Sequence, residues 1–376
     1  MTRTLALASA AALMVAPAHA QTGDGVGLDR VWSRLADVNG ELGSVESAEF
    51  SPDAARIVTG TKFDNTVRVF RTADGAQLWT RTVPQEIERV AWTSDGARVA
   101  SVSEDGLMRV FDAETGAVVA RHRHDNGIDG LAASPDGRFL VSGQERVEDV
   151  GIVRVFDGRG ERLLARYDFP GTVNEVTFTR DGRRMAAVGD HAARIYEVED
   201  DPEAWRVIHE FALPNPAGPY GDGLIYINAG FSPDGRMLAA GAAHGFVQVY
   251  DTEGGERLRT LRAGAEKTET VAWSADGAHL LVAGNGLTID VFATDAIRDD
   301  ALDDDQVTPL LRVPVTDALE YMDFNDQGTL LTTAHQDGTV QLWTYRSGDP
   351  TLNGRQHRKV RAEQDAAARA AGRYVE

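Results

Sequence analysis

The chain has 376 residues, of which 42% are hydrophobic and 26% charged, a composition typical of a soluble globular protein. Its 38 Lys and Arg residues against 58 Asp and Glu residues give a net charge of −20, which argues against binding to the phosphate backbone of nucleic acids. Because the chain has no cysteine, disulfides, thiolate catalysis, iron–sulfur ligation and cysteine zinc sites are excluded, and His and carboxylates remain as the strong metal ligands.

The first 20 residues have the pattern of a secretory signal peptide. Arg3 gives a short basic start, an apolar run covers residues 5–15, and Ala18-His19-Ala20 supplies the small residues of a cleavage site. The apolar run is too short to cross a hydrocarbon core of about 30 Å as a helix. We therefore expect cleavage after Ala20, a periplasmic or secreted location, and no membrane span after cleavage.

A short motif returns seven times through the rest of the chain. It consists of an apolar residue, usually aromatic, followed by a turn that resembles Ser-Pro-Asp-Gly. The copies are FSPDA from Phe50, WTSDG from Trp92, ASPDG from Ala133, FTRDG from Phe178, FSPDG from Phe231, WSADG from Trp273 and FNDQG from Phe324. Their spacing of about 40 to 50 residues is close to the period of a four-stranded propeller blade.

A second motif follows each copy at a nearly constant distance. It is a short β-branched run that ends in an aromatic residue, as in VRVF at Phe70, VQVY at Tyr250 and VQLW at Trp343. Gly and Asp turns separate the runs, and their almost continuous apolar pattern indicates strands that pack on both faces. We predict an all-β domain over residues 21–345, a seven-bladed β-propeller of four-stranded antiparallel blades.

The two motifs together resemble the WD-repeat (WD40) propeller family. The resemblance covers residues 28–345 and is clearest in EDGLMRVFD at residues 104–112 and QDGTVQLW at residues 336–343. The signal-peptide pattern and the Ala-, Arg-, Gly- and Asp-rich composition indicate a bacterial secreted member; bacterial propellers of the TolB and YVTN types are related alternatives. Because the family's Gly-His pair is missing ahead of each first strand, we expect its His–Ser–Trp–Asp hydrogen-bond network to be absent.

The two ends of the domain are expected to meet in the last blade. No good fourth strand follows Trp343, whereas residues 29–34 mirror the outer strand of the first blade at residues 76–81. We predict that this N-terminal strand completes the last blade and closes the ring. Insertions are expected at residues 145–151 and 214–226 on the top face, and at residues 293–308 on the opposite face.

One column of the aligned repeats is rich in carboxylates. Four positions before the aromatic residue of the first motif stand Glu46, Glu88, Asp129, Asn174, Ile227, Glu269 and Glu320. A carboxylate ring in a concave mouth focuses negative potential and attracts a basic peptide, a cationic ligand or Ca²⁺. The alternative is a set of solvated strand ends in an acidic protein. We predict that the six polar members of the column bind a partner at the channel mouth.

Two smaller groups of residues are further candidates. Tyr220 and Tyr226, in the insertion of the fifth blade, could form an aromatic lip over the mouth or pack the loop against its blade. His191, His244 and His335 fall in or near turns on the same face, which suggests a His–carboxylate metal site. No short ligand spacing links the three histidines.

Four arginines recur two residues before the aromatic residue of the second motif. They are Arg68, Arg109, Arg154 and Arg194. We interpret them as structural, with their stems covering blade surface and their guanidinium groups reaching water or a neighbouring carboxylate.

These features favour a non-enzymatic scaffold that binds a protein or peptide with a basic segment, without a cofactor. The chain has no nucleophile elbow and no phosphate-binding loop between a strand and a helix. The alternative is a propeller hydrolase, lactonase or cofactor-dependent oxidoreductase with a metal or cofactor over the channel. Residues 346–376 carry seven Lys or Arg against four Asp or Glu, and this basic tail is expected to be weakly helical or disordered.

Overall fold

A computed structural model describes residues 19–21, 25–37, 43–212, 225–264 and 267–348. Within these ranges the chain forms 29 β-strands, one helix α1 (Thr294–Ile297) and two 3-10 helices (Pro202–Ala204 and Asp304–Gln306). No helix in this part of the chain has the length and apolar character needed to cross a membrane. Most of the predicted signal peptide, most of the insertion at residues 214–226 and the tail beyond Gly348 lie outside the described residues.

The strands form seven antiparallel sheets, one for each repeat, and the prediction of a seven-bladed propeller is confirmed. The strands of each blade are named a to d from the innermost outwards. In the order a to d, blade 1 contains β3 (Val45–Phe50), β4 (Arg56–Thr61), β5 (Thr66–Arg71) and β6 (Gln77–Thr82), and blade 2 contains β7 (Ile87–Trp92), β8 (Arg98–Ser103), β9 (Leu107–Asp112) and β10 (Val118–Arg123). Blade 3 contains β11 (Ile128–Ala133), β12 (Phe139–Val147), β13 (Val150–Asp157) and β14 (Leu163–Pro170), blade 4 contains β15 (Val173–Phe178), β16 (Arg184–Gly189), β17 (Ala192–Glu197) and β18 (Arg206–Ala212), and blade 5 contains β19 (Tyr226–Phe231), β20 (Met237–Ala242), β21 (Phe246–Asp251) and β22 (Arg257–Arg262). Blade 6 contains β23 (Thr268–Trp273), β24 (His279–Gly284), β25 (Thr288–Ala293) and β26 (Leu311–Pro314), and blade 7 contains β27 (Leu319–Phe324), β28 (Leu330–His335), β29 (Thr339–Ser347) and, as its strand d, β2 (Val26–Leu35). A short strand β1 (His19–Gln21), which contains the predicted cleavage position, pairs with the outer edge of β2.

The innermost strands contact one another in a closed ring, with β27 of blade 7 against β3 of blade 1. The middle strands are buried on both faces because each blade packs between two others; all six residues of β20 are buried. Glycines near the end of strand b allow the blades to approach closely. A Cβ atom on Gly143 would lie 2.4 Å from a methyl carbon of Val173, which begins the next blade.

The repeated Ser-Pro-Asp-Gly turn has a structural role between strands a and b. In blade 2, the Thr93 hydroxyl donates to an Asp95 carboxylate oxygen at 2.7 Å and accepts the backbone N–H of Arg98 at 3.0 Å. Gly96 has a φ angle of +65°, in the left-handed region that favours glycine. The hydroxyl, the carboxylate and the glycine together close the hairpin, which explains why the motif recurs.

The predicted closure of the ring by the N-terminal strand is confirmed. β2 pairs antiparallel with β29, with Arg30 opposite Trp343. The similarity between β2 and the outer strand of blade 1 includes an equivalent hydrogen bond. The Trp32 indole N–H donates to the Thr72 carbonyl, and the Trp79 indole N–H donates to the Ala113 carbonyl, both at 2.9 Å. The first and last blades are therefore joined by the same type of contact as blades 1 and 2.

The b–c turns and the loops between blades lie on one face, which we call the top face; the a–b and c–d turns lie on the bottom face. The insertion at residues 145–151 extends the b–c hairpin of blade 3, where Val147 pairs with Val150. The insertion at residues 293–308 packs Ile297 into the core, and Arg298 forms an ion pair of 2.7 Å with Asp234 of an a–b turn. These two insertions therefore lie on opposite faces.

Candidate functional site

All seven positions of the predicted column line one cavity at the top of the channel, which we call the mouth. The cavity has a volume of about 720 Å³. In each blade the column residue is the extra residue of a β-bulge near the start of strand a; in blade 1 the register shifts between Val45 and Ser47, on either side of Glu46. A bulge leaves one residue unpaired and redirects its side chain. The repeated bulge thus explains why these side chains meet.

The wall of the mouth is not uniform around the ring. Five consecutive blades, 6, 7, 1, 2 and 3, contribute carboxylates, and we call these residues the acidic arc: Glu269, Glu320, Glu46, Glu88 and Asp129. Blades 4 and 5 contribute the carboxylate of Asp190 and a neutral arc: Thr172, Asn174, Ile225, Ile227 and Ala243. The Asn174 amide donates to the Tyr226 carbonyl at 2.7 Å.

Burial and repulsion between carboxylates raise the pKa values of Asp129 and Glu88 in the acidic arc. Burial, followed by repulsion from Glu145 and Glu104, raises the pKa of Asp129 to about 8. Burial, followed by repulsion from Glu46 and Asp129, holds the pKa of Glu88 well above its usual range. Each shift means that removing the proton costs free energy in the folded protein, so a bound cation would stabilise the ionised arc.

Two lysines already neutralise part of this charge. The Lys62 Nζ atom lies 3.2 Å from a carboxylate oxygen of Glu86, and the Lys267 Nζ atom lies 2.7 Å from one of Glu269. Burial alone would lower the pKa of Lys62, but Glu46, Glu88 and Glu86 raise it to about 12. Neither lysine recurs in the aligned repeats, so the sequence pattern does not indicate them.

A buried ion pair crosses the channel beside the mouth. The Arg89 Nε atom of blade 2 lies 3.2 Å from a carboxylate oxygen of Glu175 in blade 4, and Asn228 of blade 5 donates to the same oxygen at 2.8 Å. The Arg89 guanidinium also stacks over the Tyr321 ring of blade 7, 5.1 Å from its centre. These contacts tie four blades together across the channel.

Further carboxyl groups line the same inner strands. The Tyr321 hydroxyl donates to Glu49 at 3.4 Å, and Asp323 accepts the backbone N–H of Phe50 at 2.8 Å. Burial raises the pKa of Asp323 to about 7, and burial together with repulsion from Asp323 holds the pKa of Glu49 well above its usual range. The inner channel is therefore a polar layer with more acidic groups than cations.

Within the described residues, two groups of side chains have the geometry to hold a metal ion. They are Glu86, Glu88 and Glu104, and Glu104, Asp129 and Glu145, with the ligand atoms of each group within 4.8 Å of one another. Both groups consist of carboxylates, the ligands that suit Ca²⁺.

The three candidate histidines are not part of either carboxylate group. His191 and His244 are exposed, whereas His335 is buried. The His335 Nε2 atom lies 2.8 Å from the Thr333 hydroxyl, and its Nδ1 atom lies 3.3 Å from the Asp317 carbonyl. The structure therefore does not bring these histidines together with the ring carboxylates.

The predicted aromatic lip needs a correction at Tyr226. Its side chain is 0% exposed, and its hydroxyl is hydrogen-bonded to that of Tyr250. Tyr226 is the residue before the bulge, so its ring points into the packing between blades 4 and 5 rather than over the mouth. Tyr220 lies outside the described residues.

The structural interpretation of the four repeated arginines is confirmed. Each forms an ion pair with a nearby carboxylate: Arg68 with Asp64, Arg109 with Asp105, Arg154 with Asp125 and Arg194 with Glu210. In three of them the carboxylate belongs to a loop or turn on the top face, so the arginine fixes that segment against strand c.

The expectation that the family hydrogen-bond network is absent is wrong in part. In blade 3, His124 bonds to the Ser142 hydroxyl at 2.8 Å. In blade 7, the Trp343 indole N–H donates to Thr333 at 3.0 Å, and Thr333 bonds in turn to His335. His124 is not part of a Gly-His pair, because Arg123 precedes it.

Two family models match parts of the chain. The model described as Anaphase-promoting complex subunit 4 WD40 domain matches residues 48–127. The model described as WD domain, G-beta repeat, matches residues 117–148 and 314–344. WD40 repeats are thus found at both ends of the propeller.

Curated relatives share limited segments with the chain. It is 34% identical over 71 residues to Eukaryotic translation initiation factor 3 subunit I of Aspergillus oryzae, an alignment of 19% of this chain and 21% of the relative. It is 29% identical over 116 residues to Actin-interacting protein 1 of Drosophila melanogaster, covering 29% and 18%. It is 32% identical over 76 residues to Coronin-7 of Rattus norvegicus, covering 20% and 8%. The chain therefore spans at most about a fifth of these three relatives.

Proposed function

From a seven-bladed propeller that carries WD40 repeats, we propose a non-enzymatic scaffold that binds a protein or peptide with a basic segment at the mouth. We further propose that the signal-peptide pattern directs the protein to the periplasm or outside the cell. WD40 propellers are consistent with a role in protein interaction, and the fold itself does not determine the ligand. The proposal therefore depends on the chemistry of the mouth.

The observation that carries the proposal is the convergence of seven bulge residues, five of them carboxylates, on one cavity. Its volume of about 720 Å³ lies in the range of ligand pockets and suits one or a few side chains of a partner. Because burial, and after it repulsion between carboxylates, raises these pKa values, a Lys or Arg side chain in the mouth would replace the protons and gain electrostatic stabilisation.

The test compares two triple variants with the same change in charge. Glu46→Gln, Glu88→Gln and Asp129→Asn neutralise the mouth, whereas Glu114→Gln, Asp200→Asn and Glu253→Gln neutralise exposed carboxylates of the c–d segments on the bottom face. Each purified protein is used to capture binding proteins from a periplasmic extract, and the captured proteins are quantified by mass spectrometry at low and high salt.

We expect the wild type and the bottom-face variant to capture the same partner, the mouth variant to lose it, and high salt to weaken capture. Equal capture by all three proteins would contradict the proposal. Thermal melts of the two variants establish that a loss of capture is not a loss of folding.

The two carboxylate groups at the mouth support a second candidate, a Ca²⁺ site. A ligand that binds the native state raises its melting temperature, so melts with Ca²⁺, with Zn²⁺ and with a chelator test this candidate directly. Metal analysis of the purified protein complements the melts. Bound metal and a chelator-sensitive melt would favour a metal-containing site, and with it the enzyme alternative; an unchanged melt would leave the scaffold proposal.

The proposed location has its own test. We expect the mature protein to begin at Gln21 when it is isolated from the periplasm, because Ala20 is the predicted cleavage position. N-terminal sequencing of the isolated protein checks this. Recovery of the uncleaved chain from the cytoplasm would contradict it.

A further inference from the structure

The mouth combines a charged arc with an apolar surface that faces it. Ile225 and Ile227 of blade 5 line the cavity, and Ile225 remains 37% exposed in this concave position. Thr172, Asn174 and Ala243 complete the neutral arc without adding a charge. An apolar side chain of a ligand would gain by packing here, because it would remove apolar surface from water on both partners.

The two lysines of the mouth form ion pairs with carboxylates other than Asp129, which lines the same cavity as Ile225 and Ile227. Lys62 forms its ion pair with Glu86, and Lys267 with Glu269. In blade 3, next to the neutral arc, Asp129 is grouped with Glu145 and Glu104.

Asp190 is the carboxylate that blade 4 adds to the mouth. It accepts the Thr172 backbone N–H at 3.1 Å and lies 3.7 Å from an Arg146 guanidinium nitrogen. Its charge is therefore already partly neutralised.

We infer that the mouth recognises a two-part sequence in its partner: a Lys or Arg side chain that enters beside Asp129, and an adjacent or next-but-one apolar side chain that packs on Ile225 and Ile227. This inference rests on the proposed function and deepens it. A cation alone satisfies the acidic arc, whereas the two-part sequence also uses the neutral arc of blades 4 and 5. Because Asp129, Ile225 and Ile227 line one cavity of about 720 Å³, the two side chains must be close together in the peptide.

The experiment uses a random seven-residue peptide library displayed on phage and selected against the full purified protein. Enriched peptides are synthesised, and their affinities are measured by fluorescence anisotropy for the wild type and four single variants. Asp129→Asn removes the cation contact, and Ile225→Ser removes the apolar contact. Leu287→Ser is the matched control, because Leu287 is an apolar residue of a b–c turn that is 58% exposed and outside the cavity wall. Phe63→Ser tests the apolar residue that lines the mouth in blade 1.

We expect enrichment of peptides with a basic residue next to, or one residue from, an aliphatic or aromatic residue. Asp129→Asn and Ile225→Ser should each weaken binding by about five- to tenfold, and Leu287→Ser should leave it unchanged. Replacement of the apolar peptide residue by Ser should weaken binding to the wild type, but not to the Ile225→Ser protein, because the two changes remove the same contact.

Three outcomes would contradict this inference, and they differ in what they mean for the proposed function. Basic peptides that bind with no apolar preference would overturn the inference and leave the proposed function standing. A loss in Phe63→Ser with none in Ile225→Ser would overturn the placement of the apolar side chain. Selected peptides without basic residues, or none that bind the wild type and lose affinity in Asp129→Asn, would overturn both. A melting curve for each variant confirms that the folded protein is compared.

Discussion

Arg89 and Glu175 show how a single pair of side chains can organise the centre of the propeller. Arg89 is buried, and its charge is matched by Glu175 across the channel. Glu175 also accepts hydrogen bonds from Asn228 at 2.8 Å and from the Val176 backbone N–H at 2.9 Å. Removing one partner from such a pair leaves a buried charge without compensation, which costs more than the intact pair contributes.

We expect Arg89→Met to lower the free energy of unfolding by about 3–5 kcal/mol, because Glu175 loses its ion pair in a buried site. Urea unfolding at pH 7, followed by circular dichroism, measures the change. The double variant Arg89→Met, Glu175→Gln should recover a large part of the loss, because the remaining amide is neutral and can still bond to Asn228. Equal losses in the single and double variants would show that packing, and not the charge, dominates.

The sequence indicates the carboxylates of the acidic arc but not the ion pair between Arg89 and Glu175. Glu46, Glu88 and Asp129 occupy equivalent places in successive repeats, so alignment of the repeats reveals them. Arg89 and Glu175 also occupy equivalent places, one position further along, but each occurs once in its column. An alignment of the repeats reveals residue types that recur at one position. The ion pair joins two different residue types at the same position of two repeats, so the alignment does not reveal it.

At the scale of the element, the decisive strand is β2, which the chain supplies from the N-terminal side of the first repeat. It pairs with β29 over Val26 to Leu35, and its Val26 and Leu28 side chains are buried in the core between blades 6 and 7. Without it, strand β29 would present an unpaired edge, which in a sheet protein promotes association with other chains.

We expect a protein that lacks residues 1–36 to lose about 10 °C or more in melting temperature and to associate in size-exclusion chromatography, because blade 7 loses its fourth strand. The matched control lacks residues 1–24 and keeps β2 in full. A melting temperature unchanged in both proteins would show that ring closure contributes little to stability. Differential scanning calorimetry provides the comparison.

The fold was predictable at this scale because turn motifs and strand motifs alternate with a nearly constant period. The bulge that directs Glu46 and its equivalents into the mouth was not predictable in the same way. It results from the pairing of β3 with β4, where Val45 opposes Thr61 and Ser47 opposes Gly60, so that the residue between them has no partner. The sequence pattern placed these residues at the start of strand a, and the register then determined where their side chains point.

At the scale of the whole molecule, buried carboxyl groups and a buried histidine give the stability two opposing dependences on pH. The pKa of Asp129 is about 8 in the folded protein, raised first by burial, against about 4 in an unfolded chain. Between these values the folded state holds more protons than the unfolded state, so stability falls as pH rises. Burial raises the pKa values of Glu88 and Asp323 as well, so they act in the same direction.

His124 acts in the opposite direction. Burial, followed by repulsion from Arg154, lowers its pKa to about 3 in the folded protein, against about 6.5 when unfolded. Between these values the unfolded state holds more protons, so stability falls as pH decreases. The lowered pKa values of Asp53 and Asp95 in a–b turns, which result first from hydrogen bonds with Ser51 and Thr93, add to the loss in acid.

We therefore expect stability to be greatest near pH 4 and to fall as pH rises, because Asp129, Glu88 and Asp323 outweigh His124 between about pH 4 and 6.5. The fall should be steeper from about pH 6.5 to 8, where His124 no longer opposes it. Asp129→Asn should reduce the alkaline slope by up to about 1.4 kcal/mol per pH unit, the value for one proton. Asp200→Asn is the control, because the Asp200 side chain is fully exposed. Urea titrations at intervals from pH 3 to 9 measure the profile. If the slope is the same in Asp129→Asn and in the wild type, ionising Asp129 costs no free energy in the folded protein. That result would also remove the electrostatic reason to expect a cationic ligand in the mouth.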